Sequence, residues 1–236
     1  MITSLEMLTP DECARLDARI KELRAHWIPR GNTPRDTSFF TLGAAIYLDD
    51  PAEYRGVAER NNPLLREHFG WLYERLTGFL SRQLRAPAVL APGLGHPGFH
   101  IWLTPALFTT PEASVHFDLQ YLRAFPTPGP GMDFERPLSF TLTLRLPRRG
   151  GGLNLWEFTF ERYRQFYERM NTRMQPKDVT VLLPRLRHPY TVGAIAMHSG
   201  HLLHQVGEVD QVFPGDERIT LQGHGVQVHG VWQLYF

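Results

Sequence analysis

Residues 138–158 read LSFTLTLRLPRRGGGLNLWEF, two short β-type runs (138–146 and 153–158) joined by a Pro- and Gly-rich connection. Runs of this kind, bounded by turn punctuation, are the signature of a β domain. The pattern continues on both sides. Upstream lie GFHIWLT (98–104) and SVHFDLQYL (114–122), and FPTPGPG (125–131) follows the second of them. Downstream come DVTVLLP (178–184), VGAIAMH (192–198), HLLHQV (201–206), RITLQ (218–222) and VQVHGVWQLYF (226–236). One polar aromatic stretch, TFERYRQFYERMNTRM (159–174), reads as a helix inserted between strands.

The N-terminal part has a different period. Thr9, Pro10 and Glu12 form a capping box with proline at the first helical position, and Leu16, Ile20, Leu23 and Ile28 follow at roughly helical spacing. SFFTLGAAIYL (38–48) reads as a buried strand. A second helix is expected from about Asn62-Pro63 to Leu84, with Leu65, Phe69, Leu72, Leu76 and Leu80 as its apolar stripe. Helices followed by about eight strands predict one α+β, mainly β domain spanning 1–236. Residues 1–90 supply helical support with an edge strand, and 98–236 form a β-sandwich or barrel core.

Bulk properties narrow the function. The chain has 236 residues, 42% of them apolar, and a net charge near +1, which gives no reason to expect nucleic acid or an anionic membrane as partner. Cys13 is the only cysteine, so an internal disulfide framework and a Cys-rich zinc site are excluded. No apolar run is long enough to span a bilayer, and MITSLEMLTPDE has no signal-peptide character. A soluble, cytoplasmic protein is the default expectation, and the oligomeric state is left open.

His116 and Asp118 are two apart in a β-prone run, so a strand would present both to one side. Two histidines and one carboxylate form the facial triad of non-haem Fe(II) oxygenases, and the third ligand must come from downstream. His198, His201 and His204 are candidates. His204 opens the strand-like HQV and ranks first, His201 lies near the Ser199-Gly200 turn, and His198 ends the preceding strand. Further on, Arg218, Thr220 and Gln222 alternate with Ile219 and Leu221 and share one strand face. An arginine with a hydroxyl two residues on makes a good carboxylate receptor.

In this order HFD (116–118), HQV (204–206) and RIT (218–220) resemble the motifs of the Fe(II)- and 2-oxoglutarate-dependent dioxygenases, and GGGLNLWE (150–157) looks like a Gly-rich strand common between them. The resemblance covers about 98–236 and implies a double-stranded β-helix, or jelly roll. It implies His116, Asp118 and His204 as iron ligands, and Arg218 with Thr220 as the site for the distal carboxylate of 2-oxoglutarate. It further implies O₂ as oxidant and succinate as co-product. One departure is the distance from His204 to Arg218, a few residues longer than in many members, with GEVDQVFPGDE (207–217) to absorb it. Family halogenases carry a small residue in place of this aspartate, so Asp118 points to hydroxylation or a related oxidation.

Candidates to line the pocket are His100 and Trp102, on the co-substrate side, and Gln120, Tyr121 and Trp156, with Asn154, on the substrate side. The 125–136 loop is long enough for a lid, and Tyr163, Phe166 and Tyr167 sit where they would cover substrate or pack a helix. The leading expectation is hydroxylation of a small molecule such as an amino acid or natural-product intermediate. A peptidyl (prolyl-type) hydroxylase, a cupin-like metalloenzyme that does not use 2-oxoglutarate, and a non-enzymatic jelly-roll binding domain are the alternatives.

Overall fold

The computed structural model describes residues 2–31, 38–170 and 175–236. The chain opens with β1 (Thr3–Glu6) and α1 (Pro10–Glu22). Both hydrogen bonds of the capping box are present: the Glu12 N–H donates to Thr9 Oγ1 (3.2 Å) and the Thr9 N–H to Glu12 Oε2 (2.9 Å). Then come β2 (Ile28–Pro29), β3 (Phe39–Leu42), α2 (Tyr54–Leu84), β4 (Ala88–Leu90) and β5 (Gly98–Trp102). After the short α3 (Tyr121–Ala124) follow β6 (Met132–Arg145), β7 (Leu153–Thr159), α4 (Phe160–Met170) and α5 (Pro176–Val179). The chain ends with β8 (Leu186–His188), β9 (Ala194–Ser199), β10 (Leu202–Val206), β11 (Arg218–Val228) and β12 (Val231–Tyr235).

The larger sheet runs β1-β9-β6-β11-β5-β3-β2, with β12 pairing both β11 and β4. The smaller is β10-β7-β8. One face of the larger sheet is apolar because strand residues alternate. Phe99, Ile101, Leu142, Ile195, Ile219 and Leu221 are fully buried there against Leu16 and Ile20 of α1 and Leu65, Phe69, Leu72, Leu76 and Leu80 of α2. Burial of each such side chain stabilises by about 1.5–3 kcal/mol, which is what fixes the helices to this face. The other face carries the intervening residues. Across β9, β6 and β11, His198, Ser139 and His224 lie in one row, because Ser139 pairs with both.

Several local expectations change. The second helix begins at Tyr54, so Pro63 lies inside it, and the helix bends at Phe69 (φ −130°), just before Gly70. The 38–48 strand is only β3; Gly43 at φ +111° turns the chain out of the sheet. DVTVLLP is no strand. Pro176 starts the short α5, the Gln175 N–H donates to the Asp178 carboxylate (2.7 Å), and Val181 and Leu182 stay exposed. Local capping there outweighs β propensity. SVHFDLQYL is extended over 114–119 with a single bridge, at His116, and passes into α3. The 125–136 loop is shorter than expected, since β6 begins at Met132. The inserted helix spans Phe160–Met170, and residues 171–174 of that expectation lie outside the described residues. Among the described residues no helix is long and apolar enough to cross a membrane.

Candidate metal centre and its cavity

His116 and His204 face each other across a two-way bridge. Each backbone N–H donates to the other's carbonyl, both at 3.0 Å. The Asp118 N–H donates to the Gly200 carbonyl (2.7 Å), which ties the next turn of the extended segment to the β9–β10 connection. Gly200 has to be small there, because a Cβ would lie 3.0 Å from the Asp118 carbonyl oxygen and 3.1 Å from Ser139 Oγ. Behind His116, buried Gln205 donates through Nε2 to the carbonyls of Ala113 and Pro111, and Asn154 donates to Gln205 Oε1 and Glu208 Oε2. Asn154 therefore braces the segment that presents His116.

The side chains converge. Among the described residues, His116, Asp118 and His204 form a set whose ligand atoms all lie within 4.8 Å of one another. His204 Nε2 is 3.3 Å from Asp118 Oδ2, and His116 Nε2 is 3.6 Å from Asp118 Oδ1. Each imidazole places Nδ1 against a backbone carbonyl, Ser114 for His116 (2.9 Å) and Leu202 for His204 (2.8 Å). A proton held at Nδ1 leaves the Nε2 lone pair toward the carboxylate, the arrangement that orients metal-ligating histidines. Gln120 Nε2 donates to Asp118 Oδ1 (3.0 Å) and fixes the carboxylate in turn.

Burial pulls the Asp118 carboxyl upward, but the charges of His204 and His224 and the hydrogen bond to His204 outweigh it and hold the group well below the carboxylate range. For His204, burial pushes down, yet the neighbouring carboxylate raises it above the ordinary imidazole value. The pair thus favours a carboxylate with an imidazolium, and a bound cation would take the place of that proton. Burial, then the charge of His204, depresses His116.

The triad opens into a cavity of about 480 Å³ between the two sheets. His100, Trp102, Gln120 and Arg218 line it. Arg218 is 3% exposed, has no ion-pair partner among the described residues, and holds its guanidinium 5.4 Å from the centre of the Tyr190 ring. Its Nε has no hydrogen-bond partner among the described residues. Trp102 lies opposite Arg218 in the register and stacks on Phe39 at 4.1 Å. His100 lies opposite Thr220, and its Nε2 is 2.7 Å from the Tyr47 hydroxyl. Burial, with help from Arg218 and Arg30, lowers His100 to about 3.

Other expected residues are elsewhere. Thr220 is fully buried and accepts from Gln222 Nε2 (3.3 Å), but it does not line the cavity. The Tyr121 hydroxyl is 2.9 Å from His201 Nε2, which seats α3 on the β9–β10 turn and keeps both residues out of the cavity. Trp156 packs with Phe117, Val179 and Leu203, because its parity on β7 directs it away from the cavity. Tyr163 stacks near Phe117 and Phe160, Phe166 is exposed, and the side chain of Tyr167 lies outside the described residues. No residue of 125–136 lines the cavity. His198 does line it, with its ring 4.7 Å from that of His204 and Nδ1 against the Ser199 carbonyl.

His224 is the residue that strand reading missed. It is buried, with Nδ1 3.8 Å from Asp118 Oδ2. The signal was present: continuing the 218, 220, 222 alternation one step reaches it, and β11 runs on past Gln222 to Val228.

No protein-family profile matches the chain, and no curated protein matches it. Solved structures do. An N-substituted L-amino acid dioxygenase from Burkholderia ambifaria AMMD, in complex with alpha-KG, is 14% identical with a TM-score of 0.54, covering 100% of this chain and 86% of that one. AviO1 from Streptomyces viridochromogenes Tue57 is 15% identical with a TM-score of 0.50, covering 94% of this chain and 88% of that one. The non-heme alpha ketoglutarate dependent epimerase SnoN from nogalamycin biosynthesis is 14% identical with a TM-score of 0.50, covering 97% and 81%. In fold the chain resembles these dioxygenase and epimerase structures, and it carries a His116, Asp118 and His204 cluster of its own.

Proposed function

We propose that the chain is an Fe(II)- and 2-oxoglutarate-dependent oxygenase that hydroxylates a small molecule and converts 2-oxoglutarate to succinate. The observation that carries this reading is one cavity holding both a two-histidine, one-carboxylate cluster and a buried arginine without a counter-charge among the described residues. The donor set fits iron, as two neutral imidazole Nε2 atoms and one carboxylate leave open positions on a divalent ion. Bound iron with 2-oxoglutarate supplies the oxidising power through O₂.

The chain's own residues do the rest. The Ser114 and Leu202 carbonyls hold the ligand tautomers, Gln120 holds the carboxylate, and Arg218 takes the distal carboxylate of the co-substrate in a charge-assisted pair. His100 and Trp102 wall the co-substrate side. The two facing sheets are read as a double-stranded β-helix, and the chain as a single domain, since β1, β2 and β3 extend the same large sheet. The relatives in fold include proteins acting on amino acids and in a natural-product pathway, which supports a small-molecule substrate.

The test is anaerobic. Fe(II) and 2-oxoglutarate added to apo-protein are expected to give the visible metal-to-ligand charge-transfer band. His116→Ala and His204→Ala should abolish it and His201→Ala retain it. Absence of the band with the wild-type protein sinks the reading.

A further inference from the structure

The two histidines of the cluster are held by different means. His204 stands on β10, inside the small sheet, whereas His116 stands on a stretch without a ladder of its own. From Leu107 to Asp118 the only strand pairing is the bridge at His116. A ligand on an irregular stretch keeps its place only if the backbone groups around it are held by partners.

The holding side chain comes from β10 as well. His204 and Val206 line the cavity, so Gln205 between them faces the other way. It is 4% exposed, and its Nε2 donates to the carbonyls of Pro111 (3.2 Å) and Ala113. The next carbonyl along, that of Ser114, is the one against which His116 sets Nδ1. A shift of the Ala113 carbonyl is therefore passed to the imidazole, and to the cavity wall, which Ala113 and Ser114 both line.

The polarity of this clamp is fixed from both ends. Backbone carbonyls only accept, so the Gln205 amide must turn its nitrogen to them and its oxygen away. Asn154, fully buried and opposite Gln205 in the β7–β10 register, meets that oxygen with Nδ2 at 3.2 Å. Nδ2 also donates to Glu208 Oε2 at 2.8 Å, and Arg185 pairs with the other carboxylate oxygen at 3.1 Å. Carbonyls at one end and a carboxylate at the other leave a single orientation for both amides.

We infer that Gln205 is the positioning residue for His116. Through the Pro111 and Ala113 carbonyls it sets where the imidazole stands relative to His204 and Asp118, while Asn154 and Glu208 hold the Gln205 amide. The inference rests on the metal-centre part of the oxygenase reading and adds a residue outside the cavity to it. One strand thus supplies a ligand at 204 and, at 205, the clamp for the ligand facing it.

Metal affinity and local opening are measured separately. Co(II) titration of the apo-protein, followed by visible absorption, gives the affinity. Gln205→Met keeps the length of the side chain and loses both donors, and is expected to lower that affinity about tenfold or more. Gln205→Glu turns a carboxylate on two carbonyls and is expected to lower it further. Amide hydrogen exchange of the metal-free protein should show the His116 N–H, bonded to the His204 carbonyl, exchanging about tenfold faster in Gln205→Met, with the β6–β9 ladder unchanged. In the wild type the Gln205 side-chain amide protons should exchange more slowly than those of exposed Gln83, which decides the clamp even if a variant misfolds. Fast exchange of the Gln205 protons overturns the inference. So does a lower Tm, or faster exchange across the whole large sheet, with Co(II) affinity retained. Wild-type protein that binds no Co(II) overturns the metal reading and the inference with it, whereas normal Co(II) binding that neither Gln205 variant changes overturns the inference alone.

Discussion

Replacing Arg218 by Met separates a ligand-binding arginine from a structural one. The guanidinium is 3% exposed, meets the Tyr190 ring at 5.4 Å, and has no carboxylate within ion-pair distance among the described residues. If it binds a co-substrate carboxylate, truncation removes one partner of a buried charge pair, worth about 2–5 kcal/mol. At about 1.4 kcal/mol per decade, 2-oxoglutarate affinity falls about 30- to 4,000-fold. Stability should change far less. An unpaired buried charge costs about 1–3 kcal/mol that methionine does not incur, against about 0.5–2 kcal/mol lost from the cation–π contact. The net change of about −1 to +2.5 kcal/mol corresponds to an apo-protein Tm between roughly 4 °C lower and 10 °C higher, at about 2–4 °C per kcal/mol for a chain of this size. Anaerobic titration of the Fe(II) protein with 2-oxoglutarate and a thermal melt of the apo-protein measure the two quantities. Unchanged 2-oxoglutarate affinity, or a large drop in Tm with affinity retained, would falsify the assigned role.

Two further outcomes follow from the same geometry. Gly200→Ala puts a methyl 3.0 Å from the Asp118 carbonyl and 3.1 Å from Ser139 Oγ, so Asp118 must shift and metal affinity should fall about tenfold; an unchanged metal titration would show that the contact relaxes freely. His198 is held neutral by burial, then by the charge of His204, at about 3, while the unfolded chain protonates it near 6.5. The folded pKa is depressed, so the unfolded state gains a proton first and stability falls as pH drops below about 6.5. By pH 5 that amounts to about 2 kcal/mol at 1.36 kcal/mol per pH unit. Urea titrations at pH 7 and pH 5 should show the loss, and His198→Gln should flatten it by that amount; equal slopes in both proteins would refute the account.

Much of the fold was legible because it rests on local periodicity. The Thr9–Glu12 capping box, the apolar stripe of α2 and the alternation along β6 and β11 are each decided by residues a few positions apart. So was the shared face of Arg218 and Gln222, which parity alone dictates. Errors came where two local signals competed. Pro63 read as a helix start sits inside a longer helix, and DVTVLLP, β-prone by composition, follows its Pro176 cap instead.

The sequence by itself determined which residues are chemically able to form a metal site and which strand faces they occupy. It did not determine which of them meet. His204 rather than His201 joins His116 because the two backbones bridge each other across nearly ninety residues of intervening chain, while His201 is drawn to the Tyr121 hydroxyl. Trp156 went to the core and His224 to the Asp118 carboxylate for the same reason. A side chain's partners are set by which strands pair and in what register, and register is a long-range choice made by burying one whole face of a sheet at once.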